Sequence, residues 1–532
     1  NNSAGAGVTN ININNNTLQN CTVSNTGTFQ GISNTVSGAV NLSMTGNTLT
    51  GISKSTITTL NLMASSGSTN ATINNNVISN NTITAGAAAV TVNCFLGGAA
   101  LYTFNNNLIY NIAITGITSG IATLSGYNNA LGAAQDILTN NTIRKLYITG
   151  TSTLSTHAIH GIFTSTAVSS IKNISFNNID SLYTSSNLSA SIYAIRNTKG
   201  LTVNIFRNNI HSLFPGQSGV ASIATGMRIE SGTTVNIHNN FINLDLSQAF
   251  APASNSVLTA SDALKGLEIV PSTAVTINVY YNTIRLAGNG NGALFGSSAV
   301  SVFNATPTVN LRNNILVNIT TPGGVAAPAA AVAYRRPGAV GATYASTSNN
   351  NLFYAGVPSA SHLLYYDVAT SYQTLAAYQA GAGIAPRESA SVSLMPNFVS
   401  TSDLHLIPGS NCSTDGAAAP IVGYSNDYDT DPRDASTPDI GADEFAGTGV
   451  GVGVWKGITT DWNDIVNWCD AIPDAKTNVT IPAAVANYPD ITTATPVVNN
   501  ISIVAGGSVT ITGAGKLSVY GTMANAGTFN VV

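Results

Sequence analysis

Residues 13–18 read Ile-Asn-Asn-Asn-Thr-Leu, and the phrase returns as Ile-Asn-Asn-Asn-Val-Ile at 73–78 and Phe-Asn-Asn-Asn-Leu-Ile at 104–109. Looser copies are Ile-His-Asn-Asn-Phe-Ile at 237–242 and Leu-Arg-Asn-Asn-Ile-Leu at 311–316. Aligned on the closing apolar residue, eleven copies end at Leu18, Leu49, Ile78, Ile109, Ile143, Ile179, Ile210, Ile242, Ile284, Leu316 and Leu352. Two positions earlier each has an asparagine: Asn16, Asn47, Asn76, Asn107, Asn141, Asn177, Asn208, Asn240, Asn282, Asn314 and Asn350. The copies are 29 to 42 residues apart, the period of a solenoid in which each repeat buries its apolar face against the next.

The copy at 201–213 shows the local reading. Val203 and Ile205 alternate with Asn204 and Phe206, a strand period. Arg207-Asn208-Asn209 makes the turn, and Ile210 and Leu213 return to the core. Asparagine suits the turn because it tolerates the left-handed backbone region and carries both a donor and an acceptor. With one such turn per coil, stacked about 4.8 Å apart, the amides can bond along an internal ladder. A second row, Asn173, Asn204, Asn236, Asn278 and Asn310, sits six residues before the anchor. A second strand in each coil is expected where glycine precedes an apolar residue, as in Gly51-Ile52, Gly120-Ile121, Gly161-Ile162 and Gly266-Leu267. Eleven coils would form a rod of roughly 50 Å.

Composition agrees with an all-β chain. Only 8% of the 532 residues are charged, against about 25% in an average soluble domain. Residues 1–400 hold 14 Lys/Arg and 8 Asp/Glu, and residues 401–532 hold 4 and 14. A net charge of +6 spread over 400 residues is not the dense basic stripe of a nucleic-acid binder. Cys21, Cys94, Cys412 and Cys469 form no CxxC pair, so metal and redox cysteine motifs are unsupported. Buried free thiols are one reading, and a long-range disulfide in a secreted protein is the other. No apolar run has the length of a membrane helix, and no signal peptide is present. The abrupt start and end suggest a processed or partial chain.

The repeat ends near 355. Ser371 to Gly383 reads as a short helix with Leu375, Ala376 and Tyr378 on one face. Asp427, Asp429 and Asp431 alternate like the start of a calcium loop, without the glycine and glutamate of an EF-hand. Two readings stay open: calcium bound by these three, or Arg433 paired with one or two of them in a structural knot. Gly447 to Gly453 reads as a flexible linker spanning 447–454. Residues 455–532 carry all three tryptophans, Trp455, Trp462 and Trp468, then short alternating strands separated by glycines. They suggest a second, narrower β-solenoid that is cut off at 532. The tryptophans could stack on sugars or staple the small solenoid.

The repeated Asn-Asn-x-Ile phrases over 1–355 resemble right-handed parallel β-helix proteins, specifically the large secreted surface proteins of Bacteroidetes. Residues 356–446 resemble the terminal block of many such proteins, with Pro396-Asn397-Phe398, Leu404-His405-Leu406, the Asp-rich stretch and Asp439-Ile-Gly-Ala-Asp-Glu-Phe445. The pattern departs at Cys412, where proline or an apolar residue is expected. Trp455-Lys-Gly with Asn467-Trp468 resembles a module repeated in Bacteroidetes surface proteins. The resemblance implies an all-β right-handed parallel β-helix at 1–355 and a capping segment at 356–446, with a small β-solenoid at 455–532. It also implies an extracellular or cell-surface location reached by type IX secretion.

Many β-helix proteins act on polysaccharides, which requires a carboxylate pair or a base beside a cation. The acids of the solenoid are sparse: Asp136, Asp180, Glu230, Asp245, Asp262, Glu268, Asp367 and Glu388. One stripe stands out, the residue after each anchor, which reads Tyr110, Arg144, Asp180, His211, Asn243 and Arg285 on six successive coils. It is read either as a glycan-facing groove or as a solvated face. His157 and His160 are read as unrelated surface residues rather than metal ligands. The functional expectation is a non-catalytic stalk or filament subunit. It needs no cofactor and associates head to tail with itself or with other surface proteins. The alternatives are a carbohydrate-active β-helix enzyme, a polysaccharide lyase or glycoside hydrolase, and a glycan-binding protein without turnover.

Overall fold

In the computed structural model, Val203 and Ile205 are fully buried while Thr202, Asn204 and Phe206 face outward from the strand Thr202–Phe206. The chain turns at Arg207, whose φ is 53°. It continues through Asn209–Phe214 and then through Ile223–Ile229. Three strands therefore make each coil, one more than the glycine spacing suggests. The structure describes residues 9–532 except 25–27, 36–40, 56–57, 99, 130–133, 153–156, 166–169, 186–187, 217–221, 248–257, 259, 339–340, 342, 446–451 and 494.

Stacking of coils produces three parallel sheets. The first has 10 strands, from Asn10–Asn14 to Thr308–Arg312. The second runs from Thr17–Gln19 to Leu352–Tyr354 and the third from Phe29–Asn34 to His362–Tyr366. Registers hold from coil to coil, as in Asn173↔Asn204, Asn204↔Asn236 and Asn236↔Asn278. The result is a parallel β-solenoid of about ten turns. Its core is a column of Ile, Leu and Val from all three sheets.

The asparagine ladder is continuous and is buried from Asn47 onward, while its first rung, Asn16, is exposed. Each rung's Oδ1 accepts from the backbone N–H of the preceding rung at 2.9–3.2 Å and from its Nδ2 at 2.8–3.0 Å. The second Nδ2 hydrogen reaches back to a main-chain carbonyl of the coil before, as Asn208 does to Ile174 at 2.9 Å. Every interior rung thus joins three coils and leaves no amide hydrogen unpaired. Unpaired groups are costly in an interior like this one.

Two details differ from the sequence reading. The left-handed residue is the one before each rung, as with Asn15, Asn75, Asn106, Phe176, Tyr281 and Asn350. The backbone demand and the ladder thus fall on adjacent positions. The last rung is Asn351 rather than Asn350, because Leu316 pairs with Phe353, which shifts the closing copy by one residue. Three consecutive asparagines, Asn349 to Asn351, hide that shift in the sequence. Asn350 takes the corner, with φ 56°.

The glycine phrases split in two. Gly161 and Gly266 lie inside third-sheet strands, where a Cβ would come within 2.6 Å of Ile179 and 2.3 Å of Ile284. A small residue there makes room for the anchor isoleucine. Gly51 is a bend with φ 67° that leads through buried Ile52 into the short strand Ser53–Ser55, and Gly120-Ile121 directly precedes the third-sheet strand Ala122–Asn129.

Contacts divide the chain into two units, Asn1–Ser393 and Leu394–Val532. The division falls inside the expected capping segment 356–446 rather than at 447–454, most of which lies outside the described residues. His362–Tyr366 extends the third sheet, and Ser371–Tyr372 turns back antiparallel to it. The short helix Leu375–Gln379 buries Tyr378 alone, stacked 4.8 Å from Tyr365. These elements close the last coil. The second unit contains a small solenoid of three short parallel sheets, with Val479 paired to Ile501 and Ile501 to Met523, a 22-residue step. Trp455, Trp462 and Trp468 are 0% exposed and form its core, so they staple the unit and offer no sugar platform. A Cys412–Cys469 disulfide links residues 394–446 to this module.

Candidate functional site

The stripe after the anchors forms one column on the outer face of the second sheet. Tyr110 pairs in register with Arg144, Arg144 with Asp180, Asp180 with His211, His211 with Asn243, and Asn243 with Arg285. Asp180 is 2% exposed, yet Arg144 and His211 on either side are 49% and 32% exposed. Its Oδ1 accepts from Ser181 Oγ at 2.6 Å and lies 3.6 Å from Arg144 Nε, and Oδ2 lies 3.9 Å from His211. Burial lowers the His211 pKa, opposed by Asp180 and reinforced by Arg144. Arg144 also sits 5.9 Å over the Tyr110 ring. Arg285 and Asn243 are buried, with Arg285 held by Asn243 and Asp245 at 3.0 Å each. The accessible part of the stripe is therefore its Tyr110–His211 half.

A denser charged network lies on the outer face of the third sheet. Arg196 and Arg228 both grip Glu230, at 2.8 and 2.7 Å. Arg228 also pairs with Glu268, which accepts Lys265 at 3.0 Å. Arg335 lies 3.5 Å from Asp262, whose oxygens accept from Ser298 and Ser301. Burial opposes ionisation of Glu230, but hydrogen bonds from Arg196 and Arg228 outweigh it and hold the carboxyl below its usual range. His160 stacks on Phe163 and Tyr193, and its Nε2 faces Arg196 at 3.4 Å. Burial, with Arg196 beside it, lowers its pKa to about 3. His157 and His160 are thus buried, at 0% and 4% exposure, and not surface residues.

Sequence reading missed this network although its signal was present. Counting two residues on from the small interior position gives Phe163, Arg196, Arg228, Glu268, Ser301 and Arg335, which are in register. The asparagine frame hides this column because the loops before the third strand vary in length.

The eight solenoid carboxylates all have local partners. Asp136 accepts from Asn129 at 2.7 Å and faces Lys172, whose pKa burial lowers to about 8 despite the nearby Asp136 charge. Asp245 binds Ser247 and Arg285. Asp367 caps a turn through Ala369 and Thr370 N–H and accepts from Tyr365. Fully buried Glu388 receives Asn351, Ser391 and Tyr344. Asp180, Glu230, Asp262 and Glu268 are held as described above.

In the second unit, Asp427, Asp429 and Asp431 do not converge. Asp427 is buried, and its two oxygens accept from the N–H groups of Asp431 at 2.8 Å and Glu444 at 3.0 Å. Arg433 pairs with Glu444 at 2.9 Å; burial raises the Asp427 pKa, opposed by the nearby Arg433 charge. Asp429 turns to His405, with Oδ2 2.7 Å from Nε2. His405 Nδ1 lies 2.5 Å from Asp403 Oδ1. Burial opposes protonation of His405, but its bonds to Asp403 and Asp429 raise its pKa. Burial raises the Asp443 carboxyl to about 6.

Comparison with protein-family models finds no match, and neither curated proteins nor solved structures give one.

Proposed function

We propose that the chain is a non-catalytic extracellular scaffold, a stalk or filament subunit of a cell surface. The observation that carries this reading is the commitment of all eight solenoid carboxylates to neighbouring side chains or turns. Glycoside hydrolysis requires one carboxylate free to donate a proton and a second free to attack or to activate water. The ladder supports the same reading, since it fixes coil after coil with paired amides and gives the stiffness a spacer needs. The Cys412–Cys469 bond supports an oxidising compartment.

A second reading, glycan binding without turnover, is favoured by the column in which Tyr110, Arg144 and His211 stay accessible around buried Asp180. Incubation of the purified chain with a polysaccharide panel tests both. The scaffold reading expects no product release and no retention. Retention lost in Arg144→Ala and His211→Ala favours glycan binding. Product release abolished by Asp180→Ala overturns both readings in favour of an enzyme. Electron microscopy of native material separates a stalk from a filament.

A further inference from the structure

A polar cluster lies inside the solenoid, where the third sheet runs on into the first. Lys172 is on the first-sheet strand Ile171–Ser175, and Asn197 ends the third-sheet strand Ala190–Asn197. Thr164 is the register partner of Asn197, and Asp136 is that of Lys172. All four side chains are 0% exposed. Lys172 Nζ donates to Asn197 Oδ1 at 3.0 Å, across 25 residues of sequence. We propose that Lys172 and Asn197 join in an intramolecular isopeptide bond, formed by the protein itself with loss of ammonia.

The surroundings of Nζ suit an amide better than an ammonium. An ammonium carries three donors. Among the described residues, Asn197 Oδ1 is the only hydrogen-bond partner of Lys172. A buried charge so sparsely bonded is poorly stabilised. The isopeptide nitrogen carries no charge and a single N–H. Burial lowers the Lys172 pKa to about 8, despite the nearby Asp136 charge. Near neutral pH part of the population therefore holds the free amine, the nucleophilic form.

The electrophile is also prepared. A carbonyl bond of about 1.23 Å puts Asn197 Cγ within about 4.2 Å of Nζ. A small rotation of the amide brings the pair to the roughly 3–3.5 Å of a near-attack geometry. Thr164 Oγ1 donates to the same Oδ1 at 2.9 Å, the atom on which negative charge develops as Nζ adds. Asn197 Nδ2 donates to Ser231 O at 2.8 Å, and Ser231 is partly exposed, which gives the leaving group a way out. In the reaction the neutral Nζ attacks Cγ, the Nζ–Cγ bond forms and the Cγ–Nδ2 bond breaks. One proton passes from Nζ to the departing Nδ2, and ammonia leaves. Asp136, held by Asn129 Nδ2 at 2.7 Å and near enough for its charge to act on Nζ, is the acid–base group for that transfer. No oxidant or co-reactant is required. The product closes residues 172–197 into a covalent ring that runs through all three sheets around the core.

The test is the intact mass of the full chain under denaturing, reducing conditions, followed by proteolytic mapping. The proposal expects a mass one ammonia below that of the sequence, and a branched peptide in which Lys172 is joined to Asn197. Lys172→Arg and Asn197→Ala should each restore the full mass, with far-UV circular dichroism verifying that the solenoid is folded. Asp136→Asn should leave most of the chain uncross-linked at purification. A wild-type chain of full sequence mass overturns the proposal without recourse to any variant. Loss of ammonia with no 172–197 branched peptide overturns it too, because that loss would then come from another asparagine. A folded Asp136→Asn chain that is fully cross-linked overturns the acid–base assignment of Asp136.

Discussion

Asn351 ends the asparagine ladder by donating from Nδ2 to Oε2 of Glu388 at 3.0 Å. Glu388 is 0% exposed and takes the place of a twelfth rung. Ser391 and Tyr344 also donate to it, and burial raises its pKa. Glu388→Ala leaves three buried donors without an acceptor, and at about 1–3 kcal/mol for each unsatisfied group it should lower the melting temperature of residues 1–393 sharply. Glu388→Gln keeps an acceptor and should be milder. Thermal unfolding followed by far-UV circular dichroism measures both. Equal effects would show that the ladder does not depend on this terminus.

An interior rung should be as sensitive. Asn208 Oδ1 accepts from Asn177 N and Nδ2, and Asn208 Nδ2 reaches Ile174 O and Asn240 Oδ1. Asn208→Leu should destabilise by about 3 kcal/mol or more, through the orphaned Asn177 donors. The same change at outward-facing Asn204, which bonds only side chain to side chain along its row, should fall within about 1 kcal/mol. Denaturant titration of the two variants gives the comparison.

The inward asparagine and its apolar anchor were legible because each recurs once per coil and the ladder demands one residue type. The outer stripe was legible as a column for the same reason, as it sits one residue from the anchor. What failed was whatever lies across a loop of variable length. The Arg196–Glu230–Arg228–Glu268 network and the burial of His160 lie beyond connections whose length changes from coil to coil, although Gly161 and Gly266 did mark the third-sheet strands that carry such residues. The slip from Asn350 to Asn351 had a different cause: three adjacent asparagines fit two registers, and only the pairing of Leu316 with Phe353 chooses between them. The division at 393 was hidden because the bonds that gather residues 394–532, Cys412–Cys469 and Asn397 to Asp470 O, are non-local.

Lys172 and Asp136 are register partners at 0% exposure in the solenoid interior. Lys172 donates to Asn197 Oδ1 at 3.0 Å and feels Asp136 through its charge; leaving one of two opposed buried charges uncompensated costs about 3–5 kcal/mol, while replacing both with apolar residues can be neutral. Asp136→Leu should therefore destabilise strongly, and Asp136→Leu with Lys172→Leu should recover much of the loss. A double-mutant cycle in denaturant measures the coupling, and additive losses would show that the two charges do not support each other.

His160 gives residues 1–393 an acid sensitivity. Its folded pKa, lowered to about 3 by burial and by Arg196, lies below the ordinary 6.5. The unfolded chain therefore binds the proton first as pH falls. The stability this group contributes is fully present above pH 6.5 and is lost as pH drops toward 3. The gap in melting temperature between pH 7 and pH 4.5 should narrow in His160→Gln, which keeps a hydrogen-bonding side chain without the charge. An unchanged gap would assign the acid sensitivity to other groups.

The Cys412–Cys469 bond closes a loop of 57 residues in sequence separation. By the loop-entropy relation this stabilises the second unit by about 4 kcal/mol. Reduction, or Cys412→Ser with Cys469→Ser, should therefore lower the unfolding transition of residues 394–532 and leave that of residues 1–393 in place. The two transitions can be told apart in one sample. All three tryptophans lie between 455 and 468, so their fluorescence reports the second unit alone, and far-UV circular dichroism is dominated by the larger solenoid. A fluorescence midpoint that does not move on reduction would mean that the hydrogen bonds of Asp470 to Ser413 and of Asn397 to Asp470 O already hold the unit together without the disulfide.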